Sequence, residues 1–490
     1  MSTVLLDGRR ITVGDVVSVA GGATVQLAQP VRDVLADARR VVEATLVAGV
    51  STYGVNTHLG AGRDTAVEPD EISVFQNRII DNHRGSIGDA LSENEVRALV
   101  FARIVGFSLG GSGVRPELPD AYARLLDGRP LPEVYGTGSV GASDLALLAE
   151  LAAHVRETLP FAAGEALAAI SANSYSIGVG ALALTELHAL LDEADLVAAL
   201  SLEALGAAGG GGSLAPFDPR VHARRASPGQ RAVAAAIRSR LEGSFLEDPG
   251  RASSVQDALS FRTVPQVHGA VRDAASRAVD VVEDELNAPG DNPLVVLGGP
   301  GDRDDSDGVL LSNGNFEPLG LALAFETLRV ALAHLAGLSE RRIAVLSGLA
   351  TPLRRAGANA VPGLSWYAAS ATLAEIRHLA NPVSTSGTTL SEVEDHASFA
   401  PLALRQLQRQ LGLVRDIVAI EALHSAELLR AHGGRPDGDG GSVPVLGRGT
   451  RQLAAELAET LEAGRETART LLGAAVKAVA KCASRDTIDE

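Results

Sequence analysis

Residues 136–149 read Gly-Thr-Gly-Ser-Val-Gly-Ala-Ser-Asp-Leu-Ala-Leu-Leu-Ala, a glycine-bearing loop that changes abruptly into an apolar helical pattern. Ser143 and Asp144 stand directly before the apolar residues, where a helix N-terminus favours a capping side chain and a negative charge. One interpretation is therefore an ordinary helix start with Ser143 as the N-cap. A helix N-terminus also stabilises negative charge that develops on a bound molecule, so the segment can be a catalytic element as well as a helix start.

Long apolar repeats of helical period lie on both sides of this segment. They predict helices over residues 93–109, 144–159, 180–205, 316–346, 400–431 and 450–483. Strand-like alternation is short, as at residues 10–13. We therefore predict an all-α fold. The central and C-terminal helices are long enough for an elongated bundle whose exposed apolar stripes need partners, which predicts a homo-oligomer.

Composition limits the class of function. The 490 residues include 46% hydrophobic but only 3% aromatic side chains, enough for a large aliphatic core. A formal net charge of -17 opposes binding to nucleic acid or to anionic membranes. The uncharged stretch 166–185 contains Ser171 and Asn173, which are costly in lipid, so a core helix is favoured over a membrane span.

The cysteine count and the absence of two common motifs bear on compartment and cofactors. Cys482 is the single cysteine, and no basic-then-apolar leader opens the chain, which predicts a cytoplasmic enzyme. Neither Cys and His at metal-ligand spacing nor a Gly-x-x-x-x-Gly-Lys loop occurs in the sequence. No metal or nucleotide is therefore expected.

Segment 136–149 resembles the centre of the histidine and aromatic amino acid ammonia-lyase family, in which Ala-Ser-Gly followed by Asp-Leu-Ala cyclises into an electrophilic methylidene-imidazolone. Further motifs of that family follow in matching order and spacing. They are Tyr53-Gly54-Val55-Asn56-Thr57 before Gly60, Gln76 with Asn82-His83, Gln256 to Arg262, Gly290-Asp291-Asn292-Pro293, Asn313 to Phe316 and Glu394-Asp395-His396.

The resemblance implies a helical bundle of the ammonia-lyase (fumarase/aspartase-like) type and a homotetramer whose active sites are shared between subunits. It divides the chain into an N-terminal active-site domain at 1–200, a central long-helix bundle at 201–430 and a C-terminal helical region at 431–490. The implied substrate is a small amino acid-like molecule, with neither nucleic acid nor a membrane as partner.

The resemblance also implies residue roles. Tyr53 is the base that removes a β-proton, and Arg262 grips the substrate carboxylate with its planar fork of donors. The polar pair Asn82-His83, similar to histidine-type members, faces the substrate side chain together with Glu394. The other implied site residues are the catalytic tripeptide Ala142, Ser143 and Asp144 and the substrate-binding positions Gly60, Ser171, Gln256, Leu259, Asn292 and Phe316.

The chain departs from the family pattern where the electrophile is formed or held. Asp144 follows Ser143 directly, with no Gly between them, and ring closure requires a crowded geometry that a residue without Cβ enters most easily. Ser171 replaces an Asn that binds the ring, Leu259 replaces a Tyr close to it, and Glu317 replaces a His.

Three hypotheses follow. In the first, Ala142-Ser143-Asp144 cyclises, and the protein is an ammonia-lyase or aminomutase for a polar or aromatic amino acid. In the second, no ring forms, and a lyase, isomerase or cyclase acts on an activated amino acid-like carboxylic acid with a better leaving group or a more acidic carbon. In the third, the protein is a catalytically silent binding homologue, against which the retained Tyr53, His83, Arg262 and Glu394 argue.

Overall fold

The protein is described by a computed structural model that covers residues 2–128, 130–250, 252–298, 308–385, 394–433, 444–462 and 467–486. Helices dominate these residues, as predicted. They are α1 (Val13–Ala20), α2 (Gln29–Val47), α3 (Ile72–His83), α4 (Glu93–Ser108), α5 (Glu117–Leu125), α6 (Leu145–Arg156), α7 (Glu165–Ile170), α8 (Ser174–Ala207), α9 (Pro219–His222), α10 (Pro228–Arg240), α11 (Leu259–Arg262), α12 (Val264–Leu286), α13 (Leu319–Leu349), α14 (Thr351–Arg355), α15 (Ser365–Leu379), α16 (Ala400–Gly433), α17 (Arg451–Glu462) and α18 (Ala468–Asp486).

The strands are short and lie in three two-stranded sheets within the described part of the chain. The pairs are β1 (Thr3–Leu6) with β2 (Thr24–Leu27) in parallel, and β3 (Ile87–Ala90) with β4 (Tyr135–Thr137) and β5 (Leu294–Leu297) with β6 (Gly308–Leu311) in antiparallel. The strand predicted at 10–13 is wrong. Thr12 and Asp15 form a capping box there, so those residues start α1 instead.

The chain forms two compact units, each assembled from separate segments. The first unit contains Met1–Thr185, Ala278–Glu326 and Pro382–Arg405, and the second contains Glu186–Arg277, Thr327–Asn381 and Gln406–Glu490. The division into three consecutive regions, 1–200, 201–430 and 431–490, which the family resemblance implies, stays a prediction. The helical segment predicted over 450–483 is divided between α17 and α18, and residues 463–466 lie outside the described part.

Apolar helices form the core of the first unit. Nearly every residue of α4 between Val96 and Phe107 is buried, and the buried guanidinium of Arg103 is neutralised by Asp291 at 2.7 Å. The uncharged stretch 166–185 falls in Glu165–Ala207. In the described part of the chain, this segment and Leu319–Leu349 are the two helical segments long and apolar enough to cross a membrane. Burial of 94% of the apolar window of Glu165–Ala207 agrees with the predicted core helix.

The second unit contains a buried polar network. Glu421 accepts hydrogen bonds from Arg342 Nε at 2.6 Å and Ser201 Oγ at 2.6 Å, and Ser339 also donates to it. Arg342 and Glu421 are at most 1% exposed. A buried ion pair is stable only when its remaining hydrogen-bonding capacity is satisfied, and these serines contribute to that.

Candidate active site

Tyr53 is presented by a tight loop that begins at Thr52. The carbonyl oxygen of Thr52 accepts the N–H groups of residues 55, 56 and 57, which closes the turn. Gly54 has φ +68°, and a Cβ there would lie 2.3 Å from Cδ2 of Leu167, so only glycine fits. The half-buried Tyr53 phenol oxygen accepts the N–H of Gly60 at 3.1 Å. The N–H of Gly60 therefore donates to the oxygen that carries the negative charge once the phenol has lost its proton.

Helix α3 docks beside this loop and carries the predicted polar pair at its end. Oε1 of Gln76 accepts the N–H of Ala166 at 2.9 Å, which joins α3 to α7. Nδ1 of His83 lies 2.7 Å from the carbonyl oxygen of Ile79. Since a carbonyl oxygen only accepts, Nδ1 carries the hydrogen and Nε2 of the neutral ring is the acceptor. His83 is half-buried and Asn82 is exposed.

Ser143 holds an unusual backbone conformation. Its φ is +62°, a left-handed value that costs a non-glycine residue roughly 1–2 kcal/mol. Its carbonyl oxygen accepts a hydrogen bond from Ser139 Oγ at 2.9 Å. Such backbone strain clusters at functional sites. The tripeptide at 142–144 is therefore a loop with a left-handed residue at its centre. In a regular first turn of helix, φ of Ser143 would be negative.

The segment that follows Glu394-Asp395-His396 packs on this loop. The N–H of Phe399 donates to the carbonyl oxygen of Val140 at 2.8 Å, and Ser398 Oγ donates to that of Gly141 at 3.2 Å. Phe399 is the other described non-glycine residue with positive φ, at +53°. Two strained segments thus meet at one place, next to an exposed Glu394.

Asp144 is completely buried and fully engaged. Its N–H donates to the carbonyl oxygen of Ala172 at 2.7 Å. Its carboxylate accepts the N–H of Ser176 at 3.0 Å and Oγ of Ser139 at 3.1 Å. Burial raises the pKa of Asp144 to about 6, and these hydrogen bonds to the ionised form oppose the rise.

The predicted N-cap at Ser143 is wrong. Asp144 occupies the cap position of α6, and no side chain caps that helix. The carboxylate of Asp144 instead binds the N–H of Ser176 in the first turn of α8. Tertiary packing overrides the local capping preference because α7 brings the start of α8 next to residue 144.

Further predicted residues lie in the same unit. Ser171 is buried at the end of α7, and the next residue supplies the carbonyl oxygen that accepts from Asp144. Oδ1 of Asn292 accepts the N–H of Asn313 at 3.0 Å. Phe316 is half-buried, and its carbonyl oxygen accepts Nδ2 of Asn173 at 3.0 Å.

A cavity of about 420 Å³ opens beside residues 172–174 of the first unit. Its lining includes Arg103, Asn173, Glu285, Asn315 and Glu317. Sequence reasoning assigned no function to Asn173 or Glu285. The one available signal was Glu317, an acid where the family pattern has a His.

Gln256, Leu259 and Arg262 belong to the second unit, on and just before α11. Gln256 is exposed, and Leu259 is 60% exposed. Arg262 is half-buried, and its Nε has no hydrogen-bond partner among the residues that the structure describes. The neighbouring Asp257 accepts the N–H groups of Gly212 and Ser213, which anchors the glycine-rich turn before α9.

Comparison with known proteins identifies the family. The family model described as aromatic amino acid lyase matches residues 11–156 and 151–459. The chain belongs to the aromatic amino acid lyase family. Within that family it is 36% identical over 461 residues to histidine ammonia-lyase of Sorangium cellulosum, which covers 86% of this chain and 88% of that protein. Histidine ammonia-lyase of Treponema denticola is 33% identical over 470 residues, covering 89% and 90%.

Solved structures of the family share the fold. Tyrosine aminomutase of Streptomyces globisporus aligns with a TM-score of 0.82 and 26% identity over 100% of this chain and 99% of that one. The ergothioneine-degrading ergothionase of Treponema denticola aligns with a TM-score of 0.87 over 98% and 99%, and at 24% identity it supports the fold alone. The predicted ammonia-lyase type of helical fold is confirmed, and the protein is an enzyme of the lyase family.

Proposed function

We propose that this family member removes a proton from an amino acid-like carboxylic acid through Tyr53, and that it does so without a methylidene-imidazolone. The observation that carries the proposal is the setting of Asp144. Its N–H is committed to Ala172 at 2.7 Å, and its carboxylate is committed to α8. The group expected from the family pattern does not fit these residues.

Ring closure needs the amide nitrogen of Asp144 to attack the carbonyl carbon of Ala142. Turning that amide would leave the carbonyl oxygen of Ala172 and the N–H of Ser176 without their partners. Each buried, unsatisfied polar group costs about 1–3 kcal/mol. The Cβ and carboxylate of Asp144 would also have to leave a site where the residue is 0% exposed. Ser171 and Leu259, which replace the family's ring-binding side chains, support the same conclusion.

The remaining residues support proton removal. Tyr53, in its phenolate form, takes the proton from carbon, and the electron pair left behind expels a leaving group or moves within the substrate. The N–H of Gly60 donates a hydrogen bond of 3.1 Å to the phenol oxygen and stabilises the negative charge of the phenolate. Arg262 is proposed to hold the carboxylate, and its unpartnered Nε leaves a donor for that purpose. Without the electrophile, the substrate needs an acidic carbon or a leaving group better than ammonia.

The substrate side chain is proposed to be polar, with an imidazole-like ring as the first choice. His83 offers Nε2 as an acceptor because Ile79 holds its Nδ1, and Glu394 is an exposed carboxylate. Relatives at 36% and 33% identity bear the name histidine ammonia-lyase. Asn82, Gly60, Asn292, Phe316 and Gln256 are the further proposed contacts.

Assembly and location belong to the same proposal. A homotetramer with shared sites is supported by exposed apolar residues on α13, where Leu319, Leu323 and Val330 are 38%, 51% and 48% exposed. Their spacing places them on one stripe of the helix. The proposed location is the cytoplasm.

A second candidate function is an ammonia-lyase or aminomutase that forms the ring from Ala142-Ser143-Asp144. The family membership favours it, because the relatives quoted above bear the name histidine ammonia-lyase. Intact mass spectrometry of the purified, unfolded protein separates the two candidates. The unmodified mass supports the ring-free proposal, whereas a loss equal to two water molecules overturns it.

A constructed variant provides the matched control for that measurement. Inserting Gly between Ser143 and Asp144, together with Ser171→Asn and Leu259→Tyr, restores the family pattern. The variant is expected to lose two waters where the natural chain does not. Proton removal is tested separately by incubating candidate acids in D₂O, where deuterium uptake by carbon requires Tyr53.

A further inference from the structure

We propose that the cavity of about 420 Å³ in the first unit binds an organic ammonium group between Glu285, Glu317 and Asn173. Tyr53 is not among the residues that line this cavity, and the proposal does not depend on how the proton is removed. All three side chains come from different elements of one unit, namely the end of α12, the segment before α13 and the residue before α8.

Asn173 supplies a fixed acceptor. The residue is 4% exposed, and its Nδ2 donates to the carbonyl oxygen of Phe316 at 3.0 Å. That bond fixes which end of the amide is oxygen. Asn173 lines the cavity, and its Oδ1 is buried and has no hydrogen-bond partner among the described residues. A buried amide oxygen without a partner is costly, so a donor in the cavity would stabilise it.

Glu317 supplies a second acceptor. Its Oε1 is buried and has no hydrogen-bond partner among the residues described. Nε2 of His396 lies 3.7 Å from this oxygen, on a side chain that is 62% exposed. Burial raises the pKa of Glu317, and His396, the Ser398 side chain and the backbone of Leu319 only partly oppose that effect. A cation bound at Oε1 would therefore stabilise the ionised carboxylate.

Glu285 completes the set of acceptors and increases the deficit. Burial raises the pKa of Glu285, and repulsion by Asp284 and Glu317 adds to it. Arg103 also lines the cavity, but its guanidinium is paired with the buried Asp291 at 2.7 Å. Two carboxylates that repel each other across a cavity are both stabilised when a cation lies between them.

The ligand class follows from the acceptors and the size of the cavity. An alkylammonium group carries three N–H donors, which matches two carboxylates and one amide oxygen. Among the described residues, no three Asp, Glu, His or Cys side chains are placed to hold a metal ion. A volume of this size suits a small organic molecule. The chemistry of recognition is the same for the substrate's own amino group and for a separate amine, and the test below distinguishes the two sources.

The test is calorimetric titration of the full-length protein with 1,4-diaminobutane, with butane-1,4-diol and magnesium chloride as controls of equal size and of charge. Saturable binding of the diamine alone is expected. Glu317→Gln, Glu285→Gln and Glu317→His are each expected to weaken it at least tenfold. Asp280→Asn, an exposed acid on the same helix α12, is the matched control and is expected to bind like the natural chain.

The proposal is overturned if the natural chain shows no saturable binding of the diamine. It is also overturned if Glu317→Gln and Glu285→Gln bind the diamine as tightly as the natural chain. Should either Gln variant fail to fold, Asn173→Leu carries the same test, since it removes the amide acceptor and no charge. Displacement of the diamine by L-histidine assigns the site to a substrate amine, and additive binding assigns it to a separate amine. Both readouts are binding measurements, so loss of the proton-removal activity leaves them unaffected.

Discussion

The backbone N–H of Asp144 donates to the carbonyl oxygen of Ala172 at 2.7 Å, so the amide nitrogen that our proposal concerns is engaged in a hydrogen bond within the fold. The carboxylate of the same residue binds the first turn of α8. One aspartate thus joins the loop before α6 to the helix after α7. Both of its hydrogen-bonding groups therefore contribute to the fold.

Replacing Asp144 tests the energetics of this junction. Its folded pKa is about 6 against an ordinary 3.8, so the protonated form is favoured by folding. Protonated Asp144 therefore adds to the free energy of unfolding below pH 4, and this stabilisation is lost as the pH rises through 6. At 1.36 kcal/mol for each pKa unit, the loss is about 3 kcal/mol. Asp144→Asn removes the titration while keeping an acceptor for Ser176. The melting temperature of the natural chain, minus that of the variant, is expected to fall between pH 4 and 6. A pH-independent difference would contradict the buried-carboxylate assignment.

Removing the Tyr53 hydroxyl tests the base. Tyr53→Phe is expected to lower kcat by about a hundred- to ten-thousand-fold, the usual contribution of a general base. Among the described residues, the hydroxyl makes one hydrogen bond, with the N–H of Gly60, so the melting temperature should change little. Deuterium uptake by the substrate carbon measures the effect directly. Uptake at the natural rate in the variant would remove Tyr53 from the mechanism.

A pair of glycines tests whether the loop positions Tyr53. Gly54→Ala forces a methyl group to 2.3 Å from Leu167, whereas Gly49→Ala has nothing within 4 Å, although both glycines have a φ near +67°. Both variants carry a left-handed penalty of about 1–2 kcal/mol. Only Gly54→Ala is expected to reduce kcat, because it must displace the loop. Equal activity in the two variants would show that the loop tolerates displacement.

The carboxylate grip is tested at Arg262. Arg262→Leu removes the planar fork and is expected to raise KM at least tenfold, and Arg262→Lys should recover part of the loss because it restores the charge without the bidentate geometry. The measurement is KM and kcat on the same acid. An unaltered KM in Arg262→Leu contradicts the assignment.

The buried network of the second unit predicts a large effect on stability. Glu421→Ala leaves Arg342, 1% exposed, without its counter-ion. Loss of one partner of a buried ion pair costs about 3–5 kcal/mol. Thermal unfolding of the variant should therefore occur well below that of the natural chain. Glu375→Ala, whose pair with Arg409 is 45% and 61% exposed, is the control and is expected to change little.

The helical periods of the sequence predicted the main elements, from α4 to α16, because an apolar stripe of period 3.6 records burial on one side of a helix. The resemblance to the family also predicted that Tyr53, Asn82-His83 and residues 142–144 belong to one site; all of them lie in the first unit, and the shared site stays a prediction. Where local signals competed, they misled. Residues 10–13 alternate like a strand, but Thr12 forms a capping box at the start of α1. Ser143 is a residue type favoured at N-caps, but its backbone is left-handed.

The sequence by itself determined the helical class, the family and the missing glycine, since each is a matter of residue type and spacing. Only the tertiary structure decided what Asp144 does, because its partners Ala172 and Ser176 lie about thirty residues away and are brought to it by α7 and α8. The same holds for Asn173, Glu285 and Glu317, whose side chains share a cavity although no sequence period links them. A sequence indicates only which residue types tend to be buried. The burial of these particular polar groups, which makes an unpaired acceptor costly, is decided by the tertiary structure.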